Sequence, residues 1–181
     1  MPNISSHMAV AKRVQELLKI NNDDFYRGNV LPDLYDDKVK SHYRIKGTRY
    51  SIPDIKKVKQ ELDLNKPINL GILTHLLLDK YYLEEYLINI EENVFYEKKV
   101  YNDYDVLNKE IINHFQLDID YIYKILNNFP NDIPITKLEL IKKCLKIDKE
   151  GNTLLLEKNK FINFLENTSI KISKEINSLM K

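Results

Sequence analysis

The sequence predicts an all-α protein. Apolar residues recur every three to four positions along most of its 181 residues, which is the period of an amphipathic helix. The one strand-like segment, LLLEK at 154–158, has no partner with which to form a sheet. With 43% hydrophobic residues the chain can bury a sizeable core, and no linker rich in glycine, proline or serine divides it. We therefore expect a single all-α domain over residues 1–181, with about seven helices.

Two of these helices are predicted in the first 62 residues. Val10, Val14, Leu17 and Leu18 define one apolar face over residues 8–18. The following stretch, NNDDFYRGNVLPDLYDDK, is predicted to be rich in turns because Gly28 and Pro32 interrupt it. A short helix is then expected from Pro53 to Leu62.

Pro67 begins the most apolar segment, PINLGILTHLLLDKYYLEEYLINI. Its apolar residues cover much of the helix surface, so we expect this helix to be central and surrounded by the others. Four further helices are predicted at 102–117, 118–128, 135–147 and 157–179. The first of them begins with acidic residues, as helix N-termini prefer.

Composition and motifs exclude several classes of function. A single cysteine, Cys144, leaves no disulfide framework, CxxC pair or cysteine-type zinc site. The sequence contains no GxGxxG or GxxxxGK[ST] loop for a nucleotide. Its 28 basic and 27 acidic residues nearly cancel, so no global charge indicates nucleic acid. The N-terminus lacks a signal-peptide pattern, and the longest apolar stretch, near 68–78, is too short to span a bilayer. We expect a cytoplasmic protein.

The sharpest chemical signal is the HxxxD pattern formed by His75 and Asp79 in the apolar helix. Residues at i and i+4 lie one turn apart on the same face, so imidazole and carboxylate can converge on one metal ion. The alternative is a simple hydrogen bond between the two side chains. Because an unpaired aspartate in a buried helix costs several kcal/mol (about 3–5), we favour a cation.

The other histidines are weaker signals. Asp33 follows Pro32 and is expected in extended or turn geometry, from which it can point inward, and His42 lies nine residues later. Taken singly, Asp33 also fits a cap, His42 a surface imidazole, and His7 an ordinary residue near a helix N-terminus. His114 is interpreted as a half-buried core histidine.

Other hydrolase signatures are absent. The sequence has no HExxH, no adjacent His-Asp pair, no Glu-x-x-His and no GxSxG elbow. A two-metal phosphoester site built from scattered histidines and aspartates remains. Two cations about 3.5–4 Å apart polarise a phosphoryl oxygen and lower the pKa of bound water towards ~7. Imidazole and carboxylate ligands suit zinc, and manganese or iron is also compatible.

The order of these motifs, SHMAVAKRV, GNVLPD, KSHY and LGILTHLLLDKYYLEEYL, resembles the zinc-dependent phospholipase C family and, more distantly, the single-strand-specific zinc nucleases. The resemblance covers roughly residues 4–87 and implies an all-α fold with metal ions between helices. It implies a zinc site whose ligands are His7, Asp33, His42, His75 and Asp79. Asp79 would bridge two ions, and Asp33 would also act as the base that orients water.

The sequence also departs from the family. It has no tryptophan, and the residue four after its last histidine, His114, is Asp118 rather than glutamate. A third metal site is therefore not expected, although Asp103 could supply an extra carboxylate if it is not simply part of an acidic helix start. Candidate substrate-binding residues around His42 are Lys40, Tyr43, Arg44 and Arg49, with a solvated basic loop as the alternative.

Two functions follow from these residues. The first is a metal-dependent phosphoric ester hydrolase, a phosphodiesterase or phosphatase, in which Asp33 and Asp79 are catalytic and the substrate is a small phosphorylated molecule. The second is a non-catalytic helical protein of the same fold that acts through protein contacts, with the polar helix at 157–179 as a contact face.

Overall fold

The computed structural model describes residues 2–45, 52–87, 96–129 and 133–180, without the side chains of 96–98. Nine α-helices and one π-helical turn make up this part of the chain, and it contains no strand. In chain order they are α1 (Ile4–Leu18), α2 (Asp23–Leu34), α3 (Lys38–Ser41), α4 (Ile55–Glu61), α5 (Pro67–Tyr81), the π-turn (Tyr82–Tyr86), α6 (Tyr96–His114), α7 (Ile119–Asn127), α8 (Ile135–Leu145) and α9 (Lys158–Leu179). The all-α prediction is confirmed for these residues.

The helix count differs from the prediction because α2 lies within the stretch that was expected to form turns and α3 begins at its last residue. Asn22 caps α2 by accepting the backbone N–H of Asp24, and acidic residues fill the first turn. Pro32 lies in the last turn, where its missing N–H removes only one helical hydrogen bond. The prediction of an extended or turn geometry for Asp33 was therefore wrong, because Asp33 is helical.

Helix α5 occupies the centre of the molecule, as its apolar sequence predicts. It packs against α1, α2, α4 and α9, and its residues Leu73, Leu76, Leu77 and Leu78 are fully buried. The buried apolar side chains form one cluster that includes residues from Ile4 in α1 to Ile176 in α9. No helix among the described residues is both long enough and apolar enough to cross a membrane.

Two glycines set how closely α2 and α5 approach. A Cβ atom on Gly28 would lie 1.8 Å from the carbonyl oxygen of Ile68, and one on Gly71 would lie 2.0 Å from that of Phe25. Both obstacles are backbone atoms, so neither can move without moving a helix. This backbone contact fixes the spacing between the α2 and α5 faces that carry the predicted metal ligands.

We expect Gly71→Ala to lower the free energy of unfolding by about 3 kcal/mol, at the upper end of the usual penalty for overpacking, because the added methyl group would force the two helices apart. Urea denaturation followed by far-UV circular dichroism measures this change. Ser178→Ala, on the exposed end of α9, is the control and is expected to change stability by less than about 0.5 kcal/mol. Equal stability of Gly71→Ala and wild type would contradict the close approach.

Candidate metal centre

The fold brings all five predicted ligands into one cluster. His7 lies on α1, Asp33 on α2, His42 directly after α3, and His75 and Asp79 on α5. Within it, His7, His75 and Asp79 form one group able to hold a metal ion, and Asp33, His42 and His75 form another. Residues from four separate chain segments therefore meet at one point.

Most of this cluster is closed to solvent. The side chains of His7, His42, His75 and Asp79 have no accessible surface. Asp33 differs from them because 27% of its side chain is exposed. Any molecule that reaches the cluster through the described part of the chain therefore approaches on the side of Asp33.

A backbone carbonyl fixes the proton position on His75. Its Nδ1 lies 2.7 Å from the carbonyl oxygen of Asn29, and a carbonyl oxygen can only accept a hydrogen bond. Nδ1 must therefore carry the proton of the neutral imidazole. The lone pair on Nε2 then faces the cluster.

The tautomer of His42 is fixed in the same way through Ser41. The Ser41 hydroxyl donates to the carbonyl oxygen of Pro32 at 2.9 Å, which uses its only proton. Its oxygen therefore accepts from Nδ1–H of His42 at 3.0 Å. Metal-ligating histidines characteristically donate their second ring N–H to such a partner, so His42 also presents a bare Nε2 to the cluster.

These two assignments leave two lone pairs facing each other. Nε2 of His42 lies 3.3 Å from Nε2 of His75, and neither neutral ring has a proton there to donate. Such a contact is repulsive unless a cation or a proton lies between the nitrogens. Two ligand atoms of a tetrahedral zinc site, with bonds of about 2.0–2.2 Å, are separated by about 3.3–3.6 Å, which matches the observed spacing.

Asp79 completes the arrangement. Its Oδ2 lies 3.6 Å from Nε2 of His75 and 3.8 Å from Nε2 of His42, whereas its Oδ1 lies 3.5 Å from Nε2 of His7. Neither carboxylate oxygen, and neither ring nitrogen of His7, has a hydrogen-bond partner among the described residues. A buried carboxylate without hydrogen bonds is costly, and its two oxygens face two different sets of nitrogen atoms.

The rings of His7 and His75 are stacked in parallel, with centroids 3.8 Å apart and an angle of 8° between their planes. The lone pairs of the two rings therefore lie in two parallel planes and do not converge on the same point. Asp79 faces His7 with one oxygen and His75 with the other. A carboxylate in this position is suited to bridging two cations.

Burial also keeps the ligands in the protonation state that a metal needs. Removal from water, followed by the charge of His7, lowers the pKa of His75 to about 3, so this imidazole is neutral at pH 7. Burial alone would raise the pKa of Asp33, but the positive charge that His75 and the neighbouring histidines carry when protonated holds it well below its usual range. The ammonium group of Lys38, 3.6 Å from Oδ1, also favours the charged carboxylate. Asp33 is therefore ionised.

The predicted substrate-binding residues lie elsewhere. Lys40 and Tyr43 line a cavity of about 530 Å³ together with Leu31 of α2. None of the five predicted ligands lines this cavity, although Ser41, the partner of His42, does. The backbone of Arg44 forms an isolated β-bridge with that of Pro53. Their role in substrate binding stays a prediction, and Arg49 is outside the described residues.

Two other residues considered from the sequence, Asp103 and His114, have contacts that do not involve the cluster. Asp103 is buried and accepts the backbone N–H groups of Leu154, Leu155 and Leu156 at 2.6–2.8 Å. It holds the segment before α9, so this carboxylate is already satisfied. The expectation of a half-buried core histidine at His114 was wrong, because its side chain is 42% exposed and contacts Glu166 at 3.2 Å.

Sequence reasoning missed three residues around the cluster: Asn29, Ser41 and Lys38. The Asn29 carbonyl and the Ser41 hydroxyl orient the two histidines, and Nζ of Lys38 lies 3.6 Å from Oδ1 of Asp33. Ser41 could have been suspected because it adjoins His42. The Asn29 contact uses a backbone atom, which no side-chain motif reports.

Comparisons of the chain with protein-family models, with curated proteins and with solved structures return no match. What the cluster binds is therefore inferred from its own side chains.

We expect the metal-free protein to lose stability in mild acid. The unfolded chain protonates His75 near pH 6.5, whereas the folded chain does so only near pH 3. Between these values the unfolded state binds more protons, so the free energy of unfolding falls as the pH drops, by about 1.4 kcal/mol per pH unit for one proton. Urea denaturation of chelator-treated protein at pH 7.5, 6 and 5 measures the slope. Stability that is constant or higher at pH 5 would contradict the buried neutral imidazole.

We expect Ser41→Ala to weaken metal binding by about 10–100-fold, the usual effect of removing a partner that orients a ligating histidine. Zinc affinity, measured by competition with a chromogenic chelator, reports the change. Ser178→Ala is the matched control, since it also removes a serine hydroxyl bonded to a backbone carbonyl, here that of Glu175. If both variants bind zinc like the wild type, Ser41 does not orient His42.

Proposed function

We propose that the chain is a metal-dependent phosphoric ester hydrolase with a two-zinc centre, of the zinc-dependent phospholipase C type. The observation that supports it most is the buried contact between two imidazole lone pairs at 3.3 Å, beside an Asp79 carboxylate with no hydrogen-bond partner among the described residues. A cation removes both unfavourable features at once. Hydrogen bonds to Asn29 and Ser41 already hold the histidines in the ligating tautomer.

We divide the ligands into two sets. His75 belongs to both groups able to hold an ion, but its one bare nitrogen can bind only one ion, so we assign His75 to the same set as His42. His42, His75 and Oδ2 of Asp79 face one point, with Asp33 at its outer edge, 3.4 Å from His42. His7 and Oδ1 of Asp79 face the other. The second set supplies only two protein ligands among the described residues, which leaves coordination positions for water or substrate. Mixed imidazole and carboxylate ligands suit zinc, and manganese or iron is also compatible.

The chain's own residues have distinct roles in this proposal. Asp79 is wholly buried, and each of its oxygens faces one of the two ligand sets. Asp33 is ionised and reaches the solvent-accessible edge, so it can accept a hydrogen bond from an attacking water and orient it. The ions, when bound, would lower the pKa of that water towards ~7 and stabilise the charge that develops on the phosphoryl oxygens. The substrate proposed is a small phosphorylated molecule.

Asp79→Asn is the most direct variant for this function. The amide removes the charge and one of the two acceptor oxygens that face the ligand sets. We therefore expect the variant to lose its metal and its hydrolysis of bis-p-nitrophenyl phosphate. Its helix content, measured by far-UV circular dichroism, should stay near normal. Asp120→Asn, which makes the same change at an exposed position of α7, is the control and should retain both properties. Unchanged turnover in Asp79→Asn would exclude the proposed centre.

The near-complete burial of the ligands favours a second candidate, a non-catalytic helical protein that keeps structural metal and acts through protein contacts. Four of the five ligand side chains have no accessible surface, as expected for an ion that never meets a substrate. The two candidates differ in one measurement. The hydrolase should cleave p-nitrophenyl phosphate or its diester and lose that activity to a chelator, whereas the structural protein should bind metal without hydrolysing either compound.

A further inference from the structure

We propose that Lys38 binds the phosphate group of the substrate at the mouth of the metal centre. This inference rests on the proposed function and assigns the substrate-binding cation to a residue that the sequence motifs do not indicate. It is carried by the position of the Lys38 ammonium group beside Asp33, the one partly exposed ligand of the cluster.

The cluster has one open side in the described part of the chain. Asp33 is the ligand with exposed surface, and its Oδ1 contacts two groups: Nε2 of His42 at 3.4 Å on the inner side and Nζ of Lys38 at 3.6 Å. The Lys38 side chain is 41% exposed. A molecule that approaches the cluster past Asp33 therefore meets the Lys38 ammonium group beside the ligand atoms.

Backbone atoms hold the ammonium group in this place. Nζ of Lys38 donates to the carbonyl oxygen of Asp33 at 2.5 Å and to that of Pro32 at 3.4 Å. Both carbonyls belong to the last turn of α2, where carbonyl groups lack helical partners and the helix dipole attracts positive charge. The position of the charge is therefore set by the end of α2 rather than by Asp33 alone.

One donor of the ammonium group remains for a ligand. Lysine has three N–H donors, and the two carbonyls use two of them. The distance from Nζ of Lys38 to Oδ1 of Asp33 is 3.6 Å, which exceeds the length of a normal hydrogen bond. When Asp33 binds a metal ion, its negative charge is shared with that ion, and the third donor of Lys38 can pair with a phosphate oxygen. Lysine serves in this way as a point charge for phosphate.

The substrate-binding residues that the sequence predicts are placed differently from Lys38. Lys40 and Tyr43 line a cavity that none of the five ligands lines. Lys38, by contrast, contacts a ligand of the cluster directly. A purely structural Lys38, which only caps α2 and neutralises Asp33, would affect stability and zinc affinity but not the binding of an anion to the zinc-loaded protein.

The test is isothermal titration of inorganic phosphate into protein loaded with zinc and freed of excess metal, after the zinc content of each variant has been measured. We expect Lys38→Met to keep its zinc and to weaken phosphate binding by about tenfold or more, as the loss of a charge-assisted hydrogen bond predicts. Lys38→Arg should retain most of the affinity. Lys137→Met is the matched control, because it removes the same charge from a lysine that pairs with the exposed Asp36 instead.

Four results would overturn the proposal. Phosphate affinity in zinc-loaded Lys38→Met equal to that of the wild type would do so, as would a loss found only in Lys40→Met, which would assign the anion site to Lys40. Failure of the zinc-loaded wild type to bind phosphate would remove the role of Lys38 and leave the metal centre intact. A wild type that binds no zinc would instead contradict the metal centre itself, and the Lys38 proposal with it.

Discussion

The cluster depends on the close backbone contact between α2 and α5. Gly28 and Gly71 let the helices approach until each glycine meets a carbonyl oxygen of the other helix. At this spacing the Asn29 carbonyl reaches Nδ1 of His75, and Asp33 arrives beside His42. Longer side chains at the two glycines would separate the faces that carry these residues, so this close packing and the proposed chemistry share one interface.

The interior of the cluster is unfavourable without a cation. Two lone pairs face each other, and a buried carboxylate lacks hydrogen bonds from the described residues, so the metal-free fold contains repulsion that the surrounding helices must offset. A ligand that binds only the folded state stabilises it, and a cation would do so by removing that repulsion. In this account the site lowers the stability of the empty protein and is preorganised for metal, since Ser41 and Asn29 fix both tautomers beforehand.

The sequence predicted which side chains come together better than it predicted the elements that carry them. His75 and Asp79 could be paired because four residues along a helix make one turn, a relation that needs no tertiary information. The helix that contains Asp33 was missed, because Gly28 and Pro32 break isolated helices, whereas here Gly28 permits the contact with α5 and Pro32 lies in the last turn. The position of Lys38 beside Asp33 could not be read from sequence either, because it depends on where α2 ends and on which of its carbonyls remain free.

Anomalous diffraction at the zinc absorption edge, from crystals of the zinc-loaded protein, tests the two-metal centre most directly. A two-zinc centre predicts two peaks about 3.5–4 Å apart on either side of the Asp79 carboxylate, one beside His42 and His75 and the other beside His7. No peak within the cluster, or one peak with His7 hydrogen-bonded to Asp79, would contradict it.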